Sequence, residues 1–313
     1  MKNAEIREQM NARIIAALES GNVPPWRRPW KIGPNAGSPA NVISKKAYRG
    51  VNTILLDLAS MVLEAQGHHI ESKWFATYDQ WAKLGGQVKK RPDNVPKGHW
   101  GTMIYWMSPI TKHKTTATGE DEVDRFWCMK TYWVYNIDQV EGKCLDHLRS
   151  TNDDTSGSIV DYQPAEDAIK ATGAVSRHGG GRAYYSPTPD SITIPPKGTF
   201  EGEHDYYATM FHELTHWTEH KDRLNWDRKE QENNYALGEL VAEMGACYLC
   251  RELGVPASDV LDNHTSYLAT WLKVMKGDPK FIFTASSQAS KAADYILSFS
   301  RPAEVEEQIE QAA

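Results

Sequence analysis

No apolar run in these 313 residues approaches the roughly 20 needed to cross a bilayer. The opening stretch, MKNAEIREQMNARIIAALESG, has no continuous apolar segment of the kind that marks a secretory signal. Cysteine is scarce, at four, which is too few for the disulfide framework of a small exported scaffold. A zinc ribbon built on four cysteines is excluded too. Cys247 and Cys250 form one close pair, but Cys128 and Cys144 have 15 residues between them, so all four are read as buried free thiols. No internal repeat marks a solenoid. The expectation is a cytoplasmic chain with no membrane partner, long enough for two domains.

What is present is unevenly distributed. The net charge of -6 hides a polarity: residues 1–150 carry 21 Lys and Arg against 15 Asp and Glu, and residues 151–313 carry 14 against 26. Eight of the eleven tryptophans also lie in the first half. A basic, tryptophan-rich half suits a polyanion, and an acidic half does not.

Hydrophobic spacing predicts a helix over 3–19, with Ile6, Met10, Ile14, Ile15 and Leu18 on one stripe. Asn52 is read as the cap of a helix over about 53–66 that carries Ile54, Leu55, Leu58 and Val62. Thr77 opens a short helix closed by Gly85-Gly86. TMIYWM (102–107) and RFWCMKTYWVYNI (125–137) read as strands, joined by a charged hairpin tip over 111–124. The polar stretch 147–162 reads as a linker between domains at 1–146 and 163–313. In the second domain AEDAIKATGA reads as a helix, HGGG as a turn, and RAYYS and DSITIPP as paired strands. Helices are expected at about 202–221, 233–253, 258–276 and 286–299. The fold class is therefore α+β: an α+β first domain and a mostly helical second domain with a small sheet.

The second domain holds the segment YYATMFHELTHWTEH. His212 and His216 are four apart, which on a helix puts both imidazoles on one face, about 5–6 Å apart at Cβ. Two such nitrogens reach one zinc, or another divalent transition metal, at about 2.0–2.1 Å. Glu213 projects from the adjacent face and suits a general base rather than a ligand. A catalytic zinc wants a third protein ligand and one open position. GELVAEMGA (238–246) offers Glu239 and Glu243, also four apart, among apolar neighbours where a lone carboxylate would be costly to bury. Either can complete the set; Glu239 as ligand with Glu243 behind a histidine is the gluzincin arrangement. Such a site acidifies a water and polarises a scissile carbonyl, with Glu213 moving the proton to the leaving amine. Tyr235, His220 and Tyr185 are candidates to stabilise the oxyanion. The strand SITIPP could present an edge to an extended peptide substrate.

Single-stranded nucleic acid is held by a basic groove with aromatic faces on which bases stack. In the first half Arg27 and Arg28 lie between Trp26 and Trp30, and Lys45, Lys46, Tyr48 and Arg49 follow. Lys89, Lys90, Arg91 and Lys97 occupy a loop near Trp100.

Taken together, PPWRRPW (24–30), KKAYRGVNTILL (45–56), WFATYDQWAKLGGQVKK (74–90) and YWVYNIDQVEG (132–142) carry a resemblance in the first half. SITIPP, HELTHWTEHKDRLN (212–225) and YALGELVAE (235–243) carry it in the second. Nearly the whole chain resembles the ArdC-type antirestriction proteins of conjugative plasmids and phages. The resemblance implies a single-stranded-DNA-binding first domain, shared with TraC-type plasmid primases, and a zincin-like metallopeptidase second domain. It implies a metal at His212, His216 and Glu239, and protection of incoming DNA from host restriction. Gly238 stands where that family often has an acid, which favours Glu239. Two other readings compete: a DNA-coating protein whose metal site is structural or vestigial, and a peptidase whose tryptophans anchor a protein partner.

Overall fold

The computed structural model describes residues 3–19, 34–35, 37–115, 121–149, 161–180, 182–200, 202–226, 234–256 and 265–301. The chain divides into two compact units. The first is 1–155 together with 259–287, and the second is 156–258 together with 288–313. The sequence reading places 259–287 with the second domain; in the structure this segment packs with the first.

The first unit opens with α1 (Asn3–Glu19). Ile6, Met10, Ile14 and Leu18 are buried along it, while Ile15 is only half-buried. Its neighbour is α7 (Thr265–Gly277). Asn11 Nδ2 donates to the Met275 carbonyl at 2.8 Å, and Lys276 pairs with Glu19. Asn11 and Met275 are 264 residues apart in the chain, and such contacts leave no local trace in the sequence.

A four-stranded sheet forms the centre of this unit, in the order β1 (Ala40–Asn41), β2 (Trp74–Thr77), β5 (Asp121–Asn136), β4 (Thr102–Thr115). The β4–β5 ladder runs from Thr102↔Val134 to Thr115↔Asp121. The charged stretch expected as a hairpin tip is thus largely strand, because a two-stranded ladder satisfies its backbone groups whatever the side chains. On one face α2 (Val51–Ala65) sets Leu56 against Phe75, Ile104 and Val134. On the other, α3 (Tyr78–Lys83) sets Trp81 against Ala76, Ile137 and Val140, next to a short antiparallel pair, β3 (Gln87–Val88) with β6 (Val140–Glu141). Thr77 caps α3 as expected, in a reciprocal capping box with Gln80.

Asn52 does not cap α2. The helix begins at Val51, two residues before the expected start, after Gly50 and with no side-chain cap. The Asn52 amide instead accepts from the Tyr105 N–H at 3.0 Å and donates to the Tyr105 carbonyl at 2.8 Å. It stands in for a neighbouring strand on the open edge of β4. Val62, expected on the apolar face of this helix, is 36% exposed.

The second unit carries α4 (Gln163–Ala171) and a three-stranded sheet in the order β7 (Val175–His178), β9 (Ser191–Ile194), β8 (Tyr184–Ser186). The β8–β9 hairpin is legible in the sequence; β7, which pairs parallel to β9, falls between the segments read as a helix and as a turn. With β7 on one side and β8 on the other, β9 has no free edge. The expectation that SITIPP receives an extended peptide is corrected on that ground: the edges of this sheet belong to β7 and β8. Against the sheet lies α5 (Glu203–Thr218), and α6 (Asn234–Leu253) packs on α5. The last helix among the described residues, α8 (Phe281–Ser298), contributes its later turns to this unit. No helix among the described residues is long and apolar enough to cross a membrane.

Candidate metal centre

Helix α5 buries Tyr206, Tyr207, Met210, Phe211, Leu214 and Trp217, which fixes its rotation. The spacing then turns His212 and His216 to a half-buried face, ring centroids 5.0 Å apart. Helix α6 comes close because Gly245 lacks a side chain. A Cβ there would lie 2.6 Å from Thr215 Oγ1 and 2.8 Å from its Cγ2. This approach delivers Glu239. One of its carboxylate oxygens lies 3.6 Å from His212 Nε2 and the other 3.8 Å from His216 Nε2. One donor atom from each of the three residues falls within 4.8 Å of the others. Tetrahedral ligands at about 2.0–2.1 Å stand about 3.3–3.5 Å apart, so the three donors must draw closer than their present 4.8 Å limit to seat a divalent cation. The donor set of two imidazoles and one carboxylate suits a transition metal.

The electrostatics point the same way. Burial alone would lower the His212 pKa, but the hydrogen bond to Glu239 and the charges of Glu213, Glu243 and Glu239 raise it above its ordinary value. Burial opposes ionisation of Glu239, yet the two histidines and a hydrogen bond from Tyr235 hold its pKa below the usual range. The pocket is thus negative in character and favours positive charge. Glu213 is buried at 8% exposure beside His212, and Glu243 is buried one turn beyond Glu239.

The three candidate oxyanion donors separate. Tyr235, 69% exposed, bonds Glu239 directly. Tyr185 is engaged elsewhere: its hydroxyl donates to Asp190 at 2.7 Å and accepts from Arg223 at 3.0 Å. Burial and the Asp190 bond raise its pKa. Arg223 also grips Asp190 through both terminal nitrogens and stacks 4.0 Å over Trp217. His220 lies beside this group, its Nδ1 accepting from the Asp222 N–H at 3.3 Å. Sequence reasoning misses the Asp190–Arg223 clamp, for which HKDRL gives no local signal.

Among the candidate DNA-binding residues, Trp26, Arg27, Arg28 and Trp30 lie outside the described residues. Lys45, Lys46 and Arg49 are exposed, and the Lys45 ammonium sits 4.5 Å above the Trp74 ring. Tyr48 is not an exposed platform. It packs against the Leu56–Phe75 cluster, and burial raises its pKa in spite of a bond from Asn41. Lys90 and Arg91 are exposed; Lys89 donates to the Asp138 carbonyl at 2.8 Å, and Arg91 to the carbonyls of Pro92 and Val95. Trp100 is buried, its indole N–H donating to the Lys89 carbonyl.

Among the described residues, β4 and β5 carry a group of exposed aromatics, and Tyr78 on α3 is exposed as well. Trp106 is 64% exposed, Trp133 44% and Tyr132 37%. The register pairs Trp106 with Lys130 and Ile104 with Tyr132, so Trp106, Lys130 and Tyr132 share one face and Trp133 takes the other. The thiols also correct an expectation: Cys250 is buried and Cys247 half-buried, but Cys144 is exposed.

Residues 4–135 match a family described as the N-terminal domain of anti-restriction factor ArdC, and residues 163–288 match a zincin-like metallopeptidase family. Two Escherichia coli proteins named DNA primase TraC are similar, 34% identical over 98% of this chain and 33% over 93%. This chain spans only 28% and 20% of their lengths. Among solved structures, the antirestriction ArdC protein from plasmid R388 is similar in a metal-free state, with TM-score 0.73, 34% identity, and coverage of 94% of this chain and 97% of that one. Its Mn(II)-bound state gives TM-score 0.70, 33% identity, and coverage of 95% and 99%.

Proposed function

The chain belongs to the ArdC family of antirestriction proteins, and from that premise we propose that it binds single-stranded DNA and carries a zinc-dependent peptidase site, protecting incoming plasmid or phage DNA from host restriction. The observation that carries this reading is the convergence of His212, His216 and Glu239 from two packed helices. Zinc held there would supply Lewis acidity and make a water acidic near pH ~7. Glu213 takes the proton from the attacking water and hands it to the leaving amine. Tyr235 donates its hydroxyl to the oxyanion, being the one candidate donor attached to the cluster. The exposed edge of β8 receives an extended peptide. DNA falls to the first unit and the peptidase to the second, which holds His212, Glu213, His216 and Glu239.

The DNA reading rests on the basic first half and on ring faces open to solvent. Lys45, Lys46, Arg49, Lys90 and Arg91 supply charge, and Trp106 and Tyr132 supply stacking surface beside Lys130. Two measurements test the proposal. Metal-stripped full-length protein is titrated with Zn2+; His212→Ala must abolish stoichiometric binding, and unchanged stoichiometry refutes the site. Glu213→Gln must keep the metal and lose proteolysis. If antirestriction survives Glu213→Gln intact, protection comes from DNA coating and the peptidase role falls.

A further inference from the structure

We infer that Glu219 is the positioning residue for His216, fixing which of its nitrogens faces the metal site; this rests on the metal reading above. The two nitrogens of His216 have different neighbours. Nε2 faces Glu239 at 3.8 Å, whereas Nδ1 faces the Glu219 carboxylate at 3.7 Å. An imidazole that ligates through Nε2 carries its proton on Nδ1, and an acceptor beyond that proton sets the tautomer and the ring angle. Glu219 is three residues after His216, which puts it on the same helical face. Its backbone is held on both sides: the N–H donates to the His216 carbonyl at 3.0 Å, and its carbonyl accepts from Trp226 at 3.2 Å. The carboxylate is therefore delivered by the turn that ends α5, with 18% exposure.

His212 has no equivalent on its own helix. The residue three beyond it is Thr215, whose hydroxyl is committed to the Phe211 carbonyl at 2.7 Å. The sequence offers Glu243 for this duty, and Glu243 acts on His212 through its charge. His216 is served by a residue that ends its own helix. A carboxylate in that place opposes the helix dipole, so helix stability does not account for it. The sign of that effect separates a positioning role from a structural one.

The test uses the full chain, stripped of metal and titrated with Zn2+, then separately with Mn2+, against a competing chelator. Glu219→Ala should lower metal affinity about tenfold or more. Glu219→Gln, which keeps an acceptor oxygen, should lose clearly less. The melting temperature of the metal-free protein should stay level or rise in both. Wild-type affinity in both variants overturns the inference. So does an equal loss in both, which would reduce Glu219 to a charge, and so does a fall in metal-free melting that accounts for the Ala loss. Failure of the wild type to bind, or indifference to His212→Ala, defeats the metal centre itself rather than this assignment alone.

Discussion

Replacing Gly245 with alanine adds one methyl group where α5 and α6 meet. That carbon would arrive 2.6 Å from Thr215 Oγ1, 2.8 Å from Cγ2 and 3.3 Å from Cβ. Thr215 is fully buried, and its hydroxyl is held by the Phe211 carbonyl, so rotating it away only exchanges one clash for another. The helices must part by roughly half an ångström to an ångström. Overpacking of this kind costs about 1–3 kcal/mol. Alanine recovers about 0.8–1.0 kcal/mol of helix propensity, so the net loss is about 0–2 kcal/mol. The metal-binding consequence is larger in proportion. Ligand distances tolerate only about ±0.2 Å, and the displaced helix is the one that carries Glu239. Gly245→Ala should therefore weaken Zn2+ binding more than it lowers metal-free stability, and Thr215→Ala on the same chain should restore much of the affinity. Chelator competition and urea melts of the four proteins read both effects. The reasoning is refuted if Gly245→Ala binds zinc like the wild type and gains the full propensity term.

Three further outcomes follow from the structure. Asp190 is pulled from 3.8 to about 2, first by its hydrogen bonds from Arg223. Its contribution to stability is complete above pH ~4 and disappears as the pH falls from there toward 2, so Asp190→Asn should flatten the acid limb of a urea-midpoint profile; an unchanged limb counts against the clamp. Trp106→Ala and Tyr132→Ala should each weaken single-stranded oligonucleotide binding about 5- to 150-fold, from about 1–3 kcal/mol per stacked base, without altering the salt slope. Lys130→Ala should reduce that slope by about 0.7, and a slope change in the aromatic variants would contradict stacking. A chain ending at residue 146 lacks α7 and the Asn11–Met275 bond, and should melt below the first unit of the full chain by circular dichroism; equal melting would show that α1 does not depend on α7.

The convergence of His212, His216 and Glu239 is legible in the sequence because both pairs of residues repeat at the period of a helix, and a carboxylate among apolar neighbours advertises a partner. Thr77 is legible because a capping box is a local object, complete within four residues. Asn52 misleads for the opposite reason. An asparagine before an apolar run is a good cap by local rules, but a backbone 53 residues away makes the better offer. The extent of β4 and β5 is hidden by their charges, since pairing in register needs no apolar pattern. Strand β7 is hidden by its shortness and its exposure on every residue. Whether α7 belongs to one unit or the other is decided by distant contacts alone. The aromatic faces of β4 and β5 are visible as composition but not as geometry, because exposure depends on where the hairpin leaves the core.

Two of the converging donors come from α5 and one from α6, with 22 residues of chain between His216 and Glu239. A cation held by all three is therefore a reversible cross-link, closing a loop much as a disulfide would but set by supply rather than by redox potential. At a free metal concentration a hundredfold above its dissociation constant it adds about 2.7 kcal/mol to the folded state. The second unit would then stiffen or loosen with the metal status of its surroundings, and its lifetime against proteolysis would follow.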